Sequence, residues 1–274
     1  MNEIWKAVGA AAWGAVGNRG LRSVLDETSR KAVEALCPNP GGVYVAAFPY
    51  FAGTAPGNLS LYCRGEDYHR VLLRRLSTVC DYLKKKYPSN TFIPGTDNSP
   101  LPEKVLACMA GVGRLGKHGL LIVPPHGSYV FLGTILTDLV LEDHPYGSTE
   151  PSCDCETCVR ACPTGALTAD GFDASRCLAH LTQKKGDLTP EEEALLKKSP
   201  MIWGCDICQK VCPLNRGAAI TPLPEFRENL ICSLSARDLE GMTQKEFQDA
   251  YGDRAFAWRG IGPLKRNLEL KSKE

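Results

Sequence analysis

The cysteines of this chain are concentrated in one stretch of the sequence. Eight of the 13 lie between Cys153 and Cys212. Dense disulfide frameworks belong to short secreted chains that cannot build a core, whereas this chain has 274 residues, 43% of them hydrophobic. The concentration therefore predicts a metal-binding module inside an otherwise ordinary globular protein.

Two runs within this stretch share one spacing. Each contains C-x2-C-x3-C-P, the first ending at Cys162-Pro163 and the second at Cys212-Pro213. This is the core of the bacterial ferredoxin run, in which closely spaced thiolates bind one corner of a cubane cluster. The proline prevents the helix from continuing, so the last cysteine turns toward the other cluster. The two runs predict two 4Fe-4S clusters that exchange their last ligands.

The spacing also assigns the ligands. The first cluster is expected to bind the cysteines at the start of the first run and the end of the second, which are Cys153, Cys155, Cys158 and Cys212. The second cluster is expected to bind the first two cysteines of the second run, the last cysteine of the first run and the one cysteine of the stretch that lies between the runs. These are Cys205, Cys208, Cys162 and Cys177. Structural zinc is the alternative, but paired C-P endings have no purpose in a zinc site.

The rest of the sequence predicts an α+β fold. A buried strand is expected from Val43 to Pro49, an amphipathic helix from Asp67 to Lys86, and a helix with Thr189 as its N-cap from Thr189 to Lys198. The predicted domains are an α/β domain over residues 1–145, a ferredoxin-like double-cluster module over 146–220 and a helical, basic tail over 221–274 that packs on the core.

Charge and hydropathy limit which binding partners and which cellular compartment the sequence predicts. The net charge is +1, so no global positive field predicts nucleic-acid binding. No apolar run approaches the ~18 residues of a membrane span. The stretch from Ala7 to Gly17 lacks a basic leader, so it predicts a first amphipathic helix rather than an export signal. We expect a cytoplasmic protein with no membrane partner.

Two short motifs are rejected. Residues 111–116 satisfy G-x-G-x-x-G, but they follow a predicted helix and precede a predicted strand, the reverse of the order at a dinucleotide site. Residues 142–147 have the wrong acid for a corrinoid-ligating D-x-H-x-x-G, and His144 is expected on a surface loop. Outside the cysteine stretch, Cys80 and Cys108 lie on apolar helix faces and are predicted to be inert.

Several blocks together are similar to one known family. They are residues 62–69 (YCRGEDYH), 97–104 (DNSPLPEK), 110–118 (AGVGRLGKH), 127–133 (GSYVFLG), 153–163, 176–182 (RCLAHLT) and 204–215 (GCDICQKVCPLN). In order and spacing they resemble the epoxyqueuosine reductases, cobalamin-dependent iron-sulfur enzymes related to reductive dehalogenases. The resemblance covers nearly the whole chain.

The resemblance implies that the first domain binds base-off cobalamin. The expected contacts lie in three of the matching blocks and are Cys63, Arg64, Asp67, Tyr68, His69, Gly116, Lys117 and Ser128. It also implies that Asp97 donates a proton to the departing epoxide oxygen. Glu103 is the second candidate acid, although its place on a predicted helix favours a solvated surface position.

The resemblance further implies tRNA as the substrate and a low-potential electron donor such as a flavodoxin or ferredoxin. Members of the family usually continue past the region of Asn267 into helical repeats that help to bind tRNA, and this chain ends seven residues later. Contact with tRNA is then expected through basic side chains near the C-terminus: Arg259, Lys265, Arg266 and Lys271.

Two other functions are considered beside reduction of epoxyqueuosine. The same cofactors could act on an organohalide or a small epoxide. Alternatively, the clusters could pass electrons to another protein, as in a ferredoxin. A bare electron carrier needs no first domain of this size, and the blocks at residues 62–69 and 116–128 would then be unexplained.

Overall fold

The computed structural model describes residues 1–143, 146–150 and 155–272. The chain divides into two compact units, each built from three segments. Unit 1 comprises Met1–Tyr50, His69–Asp154 and Leu214–Leu223. Unit 2 comprises Phe51–Tyr68, Cys155–Pro213 and Pro224–Glu274. The three predicted domains were continuous segments, so their boundaries differ from these units, and the cofactor roles assigned to them stay predictions.

Unit 1 contains the strands of the main sheet. Its elements, in chain order, are α1 (Asn2–Ala7), β1 (Ala12–Gly17), α2 (Asn18–Ser23), α3 (Glu27–Leu36), β2 (Gly42–Pro49), α4 (Tyr68–Lys86, whose first residue belongs to unit 2), β3 (Phe92–Gly95), α5 (Glu103–Met109), β4 (Arg114–Leu115), β5 (Leu121–Ile122) and β6 (Val130–Thr137). The predicted buried strand and the long amphipathic helix are confirmed.

The main sheet has the strand order β1-β2-β6-β3, and each neighbouring pair is antiparallel. All eight residues of β2 are buried, as a continuous apolar run predicts for a central strand. Helix α4 buries one stripe of apolar side chains: Val71, Leu72, Leu76, Val79 and Leu83. The expected mixture of helix and strand is confirmed, and the antiparallel pairing makes unit 1 an α+β structure.

One predicted element is wrong. The stretch from Ala7 to Gly17 does not form a helix, because α1 ends at Ala7 and Ala12–Gly17 is strand β1. Gly14 pairs with Val45, and a Cβ at Gly14 would lie 2.1 Å from the carbonyl oxygen of Ala110. Pairing with β2 and this close approach decide the conformation, so tertiary contacts override the local helix propensity.

Unit 2 contains short helices between long connections. They are α6 (Thr157–Ala161), α7 (Leu178–Gln183), α8 (Pro190–Lys197), α9 (Ile207–Lys210), α10 (Ala236–Leu239), α11 (Gln244–Tyr251) and α12 (Ile261–Ser272). The predicted N-cap of α8 is confirmed, because the Thr189 hydroxyl accepts from the Glu192 backbone N–H and the Glu192 carboxylate accepts from that of Thr189. The described helices are too short or too polar to cross a membrane.

The last helix is tied into unit 2 by one buried amide. The side chain of Asn267 on α12 donates to the carbonyl oxygens of Thr182 and Ile202, both at 2.8 Å. Leu264 and Leu270 of the same helix are buried beside it. Helix α12 therefore packs within unit 2, where Leu264 belongs to a core that includes Trp203.

Candidate functional site

Three side chains of unit 1 meet at the turn after β3. The Asp97 carboxylate lies 3.2 Å from Nε2 of His69, which is in the first turn of α4. The backbone N–H of Asp97 donates to the Glu103 carboxylate at 3.0 Å, and Glu103 is the first residue of α5. The Asp97 side chain is 60% exposed. The structure thus brings both candidate acids together with His69.

Glu103 differs from the expectation of a solvated surface acid. Its side chain is partly buried, and burial raises its pKa to about 7. The negative charge of Asp97 adds to this shift, while the Asp97 N–H and His69 oppose it. The prediction failed because helix periodicity places Glu103 at the start of α5 but cannot show that the Asp97 turn folds over it.

A cavity of about 440 Å³ opens beside these acids. It is lined by the Asp97 turn, the start of α5 and the loop before β5: Asp97, Leu101, Pro102, Glu103, Lys104, Val105 and Leu120. The lining places two carboxyl groups and one ammonium group among apolar side chains. Such a cavity can hold a polar group close to a proton donor.

Among the expected corrinoid contacts in unit 2, Cys63 and Arg64 are buried, and their side chains donate hydrogen bonds within the unit. The Cys63 thiol donates to the carbonyl oxygen of Ser60 at 3.1 Å, and burial raises its pKa. The Arg64 guanidinium donates to the carbonyl oxygens of Leu59 and Ala55. Both side chains therefore brace the segment 55–63. The other two contacts expected in this unit, Asp67 and Tyr68, are partly buried.

Unit 1 holds the other four expected contacts, of which His69 is described above. Ser128 is buried, and both its N–H and its hydroxyl are hydrogen-bonded to the side-chain amide of Asn215. Gly116 and Lys117 lie at the turn between β4 and β5, where Gly116 is buried against the ring of His118. The role of these residues in binding cobalamin stays a prediction.

The two cysteine runs adopt the same local structure in unit 2. Helix α6 carries Cys158 and is followed by Cys162, whereas α9 carries Cys208 and ends two residues before Cys212. In each run the α-helix has already ended before the proline that follows the last cysteine. The expected ligand Cys153 lies outside the described residues, and seven of the eight expected ligands lie within them.

The described cysteines of the two runs affect one another's pKa, both within and between the predicted sets. Burial raises the pKa of Cys158, with additional repulsion from Cys212 and Cys155. Burial raises the pKa of Cys205 to about 11, and Cys177 and Cys162 contribute to that shift. Burial also raises the pKa of Cys208 to about 12, with contributions from Cys205, Cys177 and Cys158. Buried, mutually repelling thiols are suited to a cationic iron cluster, whose binding would release their protons.

Cys177 reaches the second set from a separate part of the sequence. It is the residue before α7, and it follows the short 3-10 helix Ala174–Arg176. The Arg176 guanidinium donates twice to the carbonyl oxygen of Thr164, which lies two residues after Cys162. This link fastens the Cys177 segment to the end of the first cysteine run.

One buried acid of unit 2 was not predicted from the sequence. Asp206, between two cysteines of the second run, is 2% exposed. Its carboxylate accepts from the Ser60 hydroxyl and from the N–H of Leu61, and it lies 3.8 Å from the Lys210 ammonium. It therefore connects the cluster loop to the segment 60–63. An acid in the second position of a C-x2-C step was the available signal, but its partner is 146 residues away in sequence.

The basic side chains expected to contact tRNA fall into two groups. Lys265, Arg266 and Lys271 donate to backbone carbonyl oxygens, Arg266 to those of Lys184 and Gly186 at 2.7 and 2.8 Å. These three charges therefore stabilise loops of unit 2. The Arg259 guanidinium instead lies 3.7 Å from the centre of the Trp258 ring.

Trp258 is the most exposed tryptophan side chain of the described residues. It is 57% exposed, and its ring N–H donates to the Gln183 side chain at 3.1 Å. Because one hydrogen bond and one stacked guanidinium fix the ring, it forms a preorganised aromatic surface.

Two family models match the chain. A 4Fe-4S double cluster binding domain matches residues 152–215, and the epoxyqueuosine reductase QueG model matches residues 30–97. The first match confirms the prediction of a double 4Fe-4S cluster module. The assignment of single cysteines to each cluster stays a prediction.

Curated relatives of the chain are epoxyqueuosine reductases. The protein of Lactococcus garvieae (strain Lg2) is 37% identical over 217 residues, covering 77% of this chain and 60% of the relative. That of Bacillus subtilis (strain 168) is 36% identical over 221 residues, covering 77% and 55%. The chain thus spans somewhat more than half the length of these relatives.

Solved structures of epoxyqueuosine reductases share the fold. One, with an epoxyqueuosine-modified tRNA-Tyr stem loop, is 26% identical with a TM-score of 0.82. Another, from Bacillus subtilis with its catalytic aspartate loop swung out of the active site, is 27% identical with a TM-score of 0.83. Each comparison covers 98% of this chain and 79% of the other.

Proposed function

Since this chain belongs to the epoxyqueuosine reductase family, we propose that it reduces epoxyqueuosine to queuosine in tRNA. The observation that carries the proposal is the presence, in one chain, of a family match that ends at Asp97 and a double 4Fe-4S cluster domain. The expected electron donor is a low-potential flavodoxin or ferredoxin. The expected compartment is the cytoplasm, where tRNA and such donors are found.

The reaction defines what the protein must supply. Conversion of an epoxide to an alkene breaks two C–O bonds, consumes two electrons and two protons, and releases the oxygen as water. When bound, two 4Fe-4S clusters and base-off cobalamin supply the electrons at low potential. The side chains of this chain must then bind the nucleoside, exclude water and deliver protons to the departing oxygen.

Asp97 is the proposed proton donor. Its turn borders the 440 Å³ cavity, and its carboxylate is paired with His69 at 3.2 Å. A carboxyl group that is 60% exposed can exchange protons with water before substrate binds. A similar protein has been captured with its catalytic aspartate loop swung out of the active site. We therefore propose that the Asp97 turn moves between a proton-loading and a proton-donating position.

The cluster ligands are proposed from the chemistry of the donor set. The thiols of Cys155, Cys158 and Cys212, of which the last two are buried, are proposed as one set, which Cys153 would complete. The thiols of Cys162, Cys177, Cys205 and Cys208 form the other. Four thiolates per cubane is the ligand set that a 4Fe-4S cluster requires. The donor sets therefore fit two clusters.

A buried orphan donor supports a ligand site in the glycine block of unit 1. His118 is 6% exposed, and its Nδ1 accepts from the Leu120 N–H, so its hydrogen is on Nε2. That Nε2 has no hydrogen-bond partner among the described residues, and burial lowers the pKa of His118 to about 4, which keeps the ring neutral. A buried donor without an acceptor fits a bound molecule rich in amide carbonyls, such as cobalamin.

The proposed corrinoid contacts centre on the glycine block of residues 110–118 and on the start of α4. Gly116 and Lys117 adjoin His118 in the glycine block, and His69 lies in the first turn of α4. Asp67 and Tyr68 remain proposed contacts of unit 2. Cys63, Arg64 and Ser128 would contribute chiefly by holding their loops in place, because their hydrogen bonds are internal.

Contact with tRNA is proposed at Trp258 and Arg259. An exposed aromatic ring with a stacked guanidinium matches the way single-stranded RNA bases are bound, by stacking on aromatic and arginine planes. The charges of Lys265, Arg266 and Lys271 are directed to backbone carbonyl oxygens. We expect those three residues to affect stability more than RNA affinity.

Omitting one component at a time tests the proposed function. Anaerobically reconstituted protein should reduce an epoxyqueuosine-modified anticodon stem loop only when iron, sulfide, cobalamin and a low-potential reductant are all supplied. Full turnover without cobalamin would contradict the proposed cofactor. Turnover of an organohalide or a small epoxide, with none on the stem loop, would replace the proposed substrate. Failure to bind any corrinoid would favour an electron carrier.

A further inference from the structure

The Asp97 turn has an unusual backbone conformation. Asp97 has a φ of 56°, the left-handed region that side-chain-bearing residues rarely adopt. Asp and Asn tolerate it better than other residues, yet it still costs free energy and persists only where other contacts impose it. The contacts that hold Asp97 are therefore informative about how its carboxyl group is aimed.

The Glu103 side chain supplies such a contact, and it binds the backbone of Asp97 rather than its side chain. Its carboxylate accepts the N–H of Asp97 at 3.0 Å, across six residues of sequence. A hydrogen bond from a backbone N–H to a carboxylate is charge-assisted and stronger than a neutral one. The side chain of Asp97 remains available for His69, so the two acids have different roles in one turn.

Helix α5, which carries Glu103, is itself held in place. Helix α5 begins at Glu103 and buries Leu106, Ala107, Cys108 and Met109 in the core of unit 1. The next side chain, Lys104, donates to the carbonyl oxygen of Gly119 at 2.9 Å, which ties the first turn of α5 to the loop before β5. A carboxylate mounted on this helix can stabilise the Asp97 turn in the position seen here, one of the two proposed for it.

We propose that Glu103 is a positioning residue for the reaction: its carboxylate pins the backbone of Asp97 and so directs the Asp97 carboxyl group toward His69. This inference rests on the proposed function for its catalytic consequence, but the pinning itself is a property of the structure. Glu103 then acts through Asp97 and need not touch the substrate.

The pin depends on pH. The charged groups facing Glu103 are Asp97 from the turn and His69 from α4, with Lys104 following it on α5. Burial first, and then the charge of Asp97, raise the pKa of Glu103 to about 7. Above that pH the ionised carboxylate holds the Asp97 N–H firmly, and below it the protonated group is a weaker acceptor. The Asp97 turn should therefore loosen as the pH falls through 7.

An activity-independent measurement tests the pin. The amide proton of Asp97, followed by NMR in the reconstituted protein, should shift with pH with a midpoint near the pKa of Glu103. The shift should vanish in Glu103→Gln, which keeps an oxygen acceptor but cannot ionise, and the amide should lose protection from exchange in Glu103→Ala. An Asp97 amide unchanged in both variants would overturn the proposal.

The kinetic arm measures turnover of the epoxyqueuosine stem loop. Glu103→Ala should lower kcat by about 10-fold or more with KM nearly unchanged, because a misplaced proton donor slows a step without removing binding contacts. Glu103→Gln should keep most of the kcat at pH 8 and lose the pH dependence near 7. Glu27→Ala, which removes the acid that begins α3, is the matched control and should leave kcat unchanged.

The NMR and kinetic measurements distinguish failure of the proposed Glu103 role from failure of the proposed substrate. If the parent protein does not reduce the stem loop while the Asp97 amide still titrates with Glu103, the pin stands and the proposed substrate falls. If the parent is active and Glu103→Ala matches its kcat at every pH, the positioning role is refuted. A Glu103→Ala protein that does not fold leaves Glu103→Gln, whose amide titration and pH profile decide the question.

Discussion

The cysteine module of unit 2 and the acid site of unit 1 are organised in opposite ways. Six of the seven described candidate ligands lie within two runs of eight residues, and burial raises the pKa of Cys158, Cys205 and Cys208. The acid site draws His69, Asp97 and Glu103 from a helix, a turn and a second helix, and it leaves Asp97 60% exposed. Metal ligation needs a fixed, dry cage, whereas proton delivery needs a group that water can recharge.

The largest effect is expected from the loss of one predicted cluster ligand. Cys208→Ser should reduce the iron content from about eight to about four atoms per chain, because a 4Fe-4S cubane needs its thiolates. It should also destabilise unit 2, since cluster binding contributes to folding in small metal domains. Iron analysis and electron paramagnetic resonance after anaerobic reconstitution measure this.

The control for this substitution is a cysteine outside both predicted ligand sets. Cys232→Ser should keep the full iron content, because Cys232 lies outside both predicted sets. Eight iron atoms retained in Cys208→Ser would contradict the ligand assignment. Full iron content in Cys177→Ala would remove only the eighth ligand from it.

The next effect is confined to the acid site. Asp97→Asn keeps the size and the hydrogen-bonding capacity of the turn but removes the acidic proton. We expect turnover to fall by roughly 10²-fold or more with both clusters and bound cobalamin retained. The measurement is single-turnover kinetics on the stem loop, with cofactor content determined on the same sample. Parent-like turnover would move the proton donor to another residue.

A smaller effect concerns stability and pH. The folded-state pKa of Glu103 is about 7 against an ordinary 4.5, so the native state binds more protons between these values. Stability from this group is present below pH 4.5 and is lost as the pH rises through 7. Glu103→Gln should therefore be more stable relative to the parent at pH 8 than at pH 4.5, by about 1–3 kcal/mol.

Urea unfolding at the two pH values measures that difference. Glu246→Gln is a useful comparison, because the Thr243 N–H and hydroxyl hold the pKa of Glu246 low at the start of α11. The stability that Glu246 contributes is present above its unfolded pKa and lost in acid, so its variant should weaken the protein at pH 8. Equal pH profiles for the parent and Glu103→Gln would mean that Glu103 is solvated.

The smallest expected effect is on RNA affinity. Trp258→Ala should weaken binding of the anticodon stem loop by about 5-fold or more, because stacking of one base on an aromatic ring contributes about 1–3 kcal/mol. Fluorescence anisotropy of labelled RNA at fixed salt measures it. Lys85→Ala, an exposed lysine of α4, should change the affinity little. Unchanged binding in Trp258→Ala would place the RNA elsewhere.

The comparison also explains what the sequence could predict. The cluster cysteines are close in sequence, so spacing alone predicted the two runs, and the buried strand β2 and the cap of α8 followed from local pattern in the same way. Asp97 was reached through family resemblance, since its local composition indicates only a turn. Asp206 was missed because its carboxylate is satisfied by Ser60 and Leu61, far away in the chain.

The errors have the same origin. Gly14 and its neighbours form an edge strand because β2 and Ala110 lie against them, and no local property of an Ala- and Gly-rich stretch indicates that. The half-buried position of Glu103 depends on a turn with a left-handed residue at Asp97. Lys265, Arg266 and Lys271 were expected to contact tRNA, and the sequence could not show that carbonyl oxygens of unit 2 accept their hydrogen bonds.

The central claim is that this chain removes the epoxide oxygen of epoxyqueuosine. Its most direct test is nucleoside mass analysis of a modified anticodon stem loop after anaerobic incubation with the fully reconstituted protein and a low-potential reductant. The account predicts conversion of the modified nucleoside to a product that has lost one oxygen atom, and little conversion with Asp97→Asn. An unchanged nucleoside, with both clusters and the corrinoid bound to the parent protein, would contradict it.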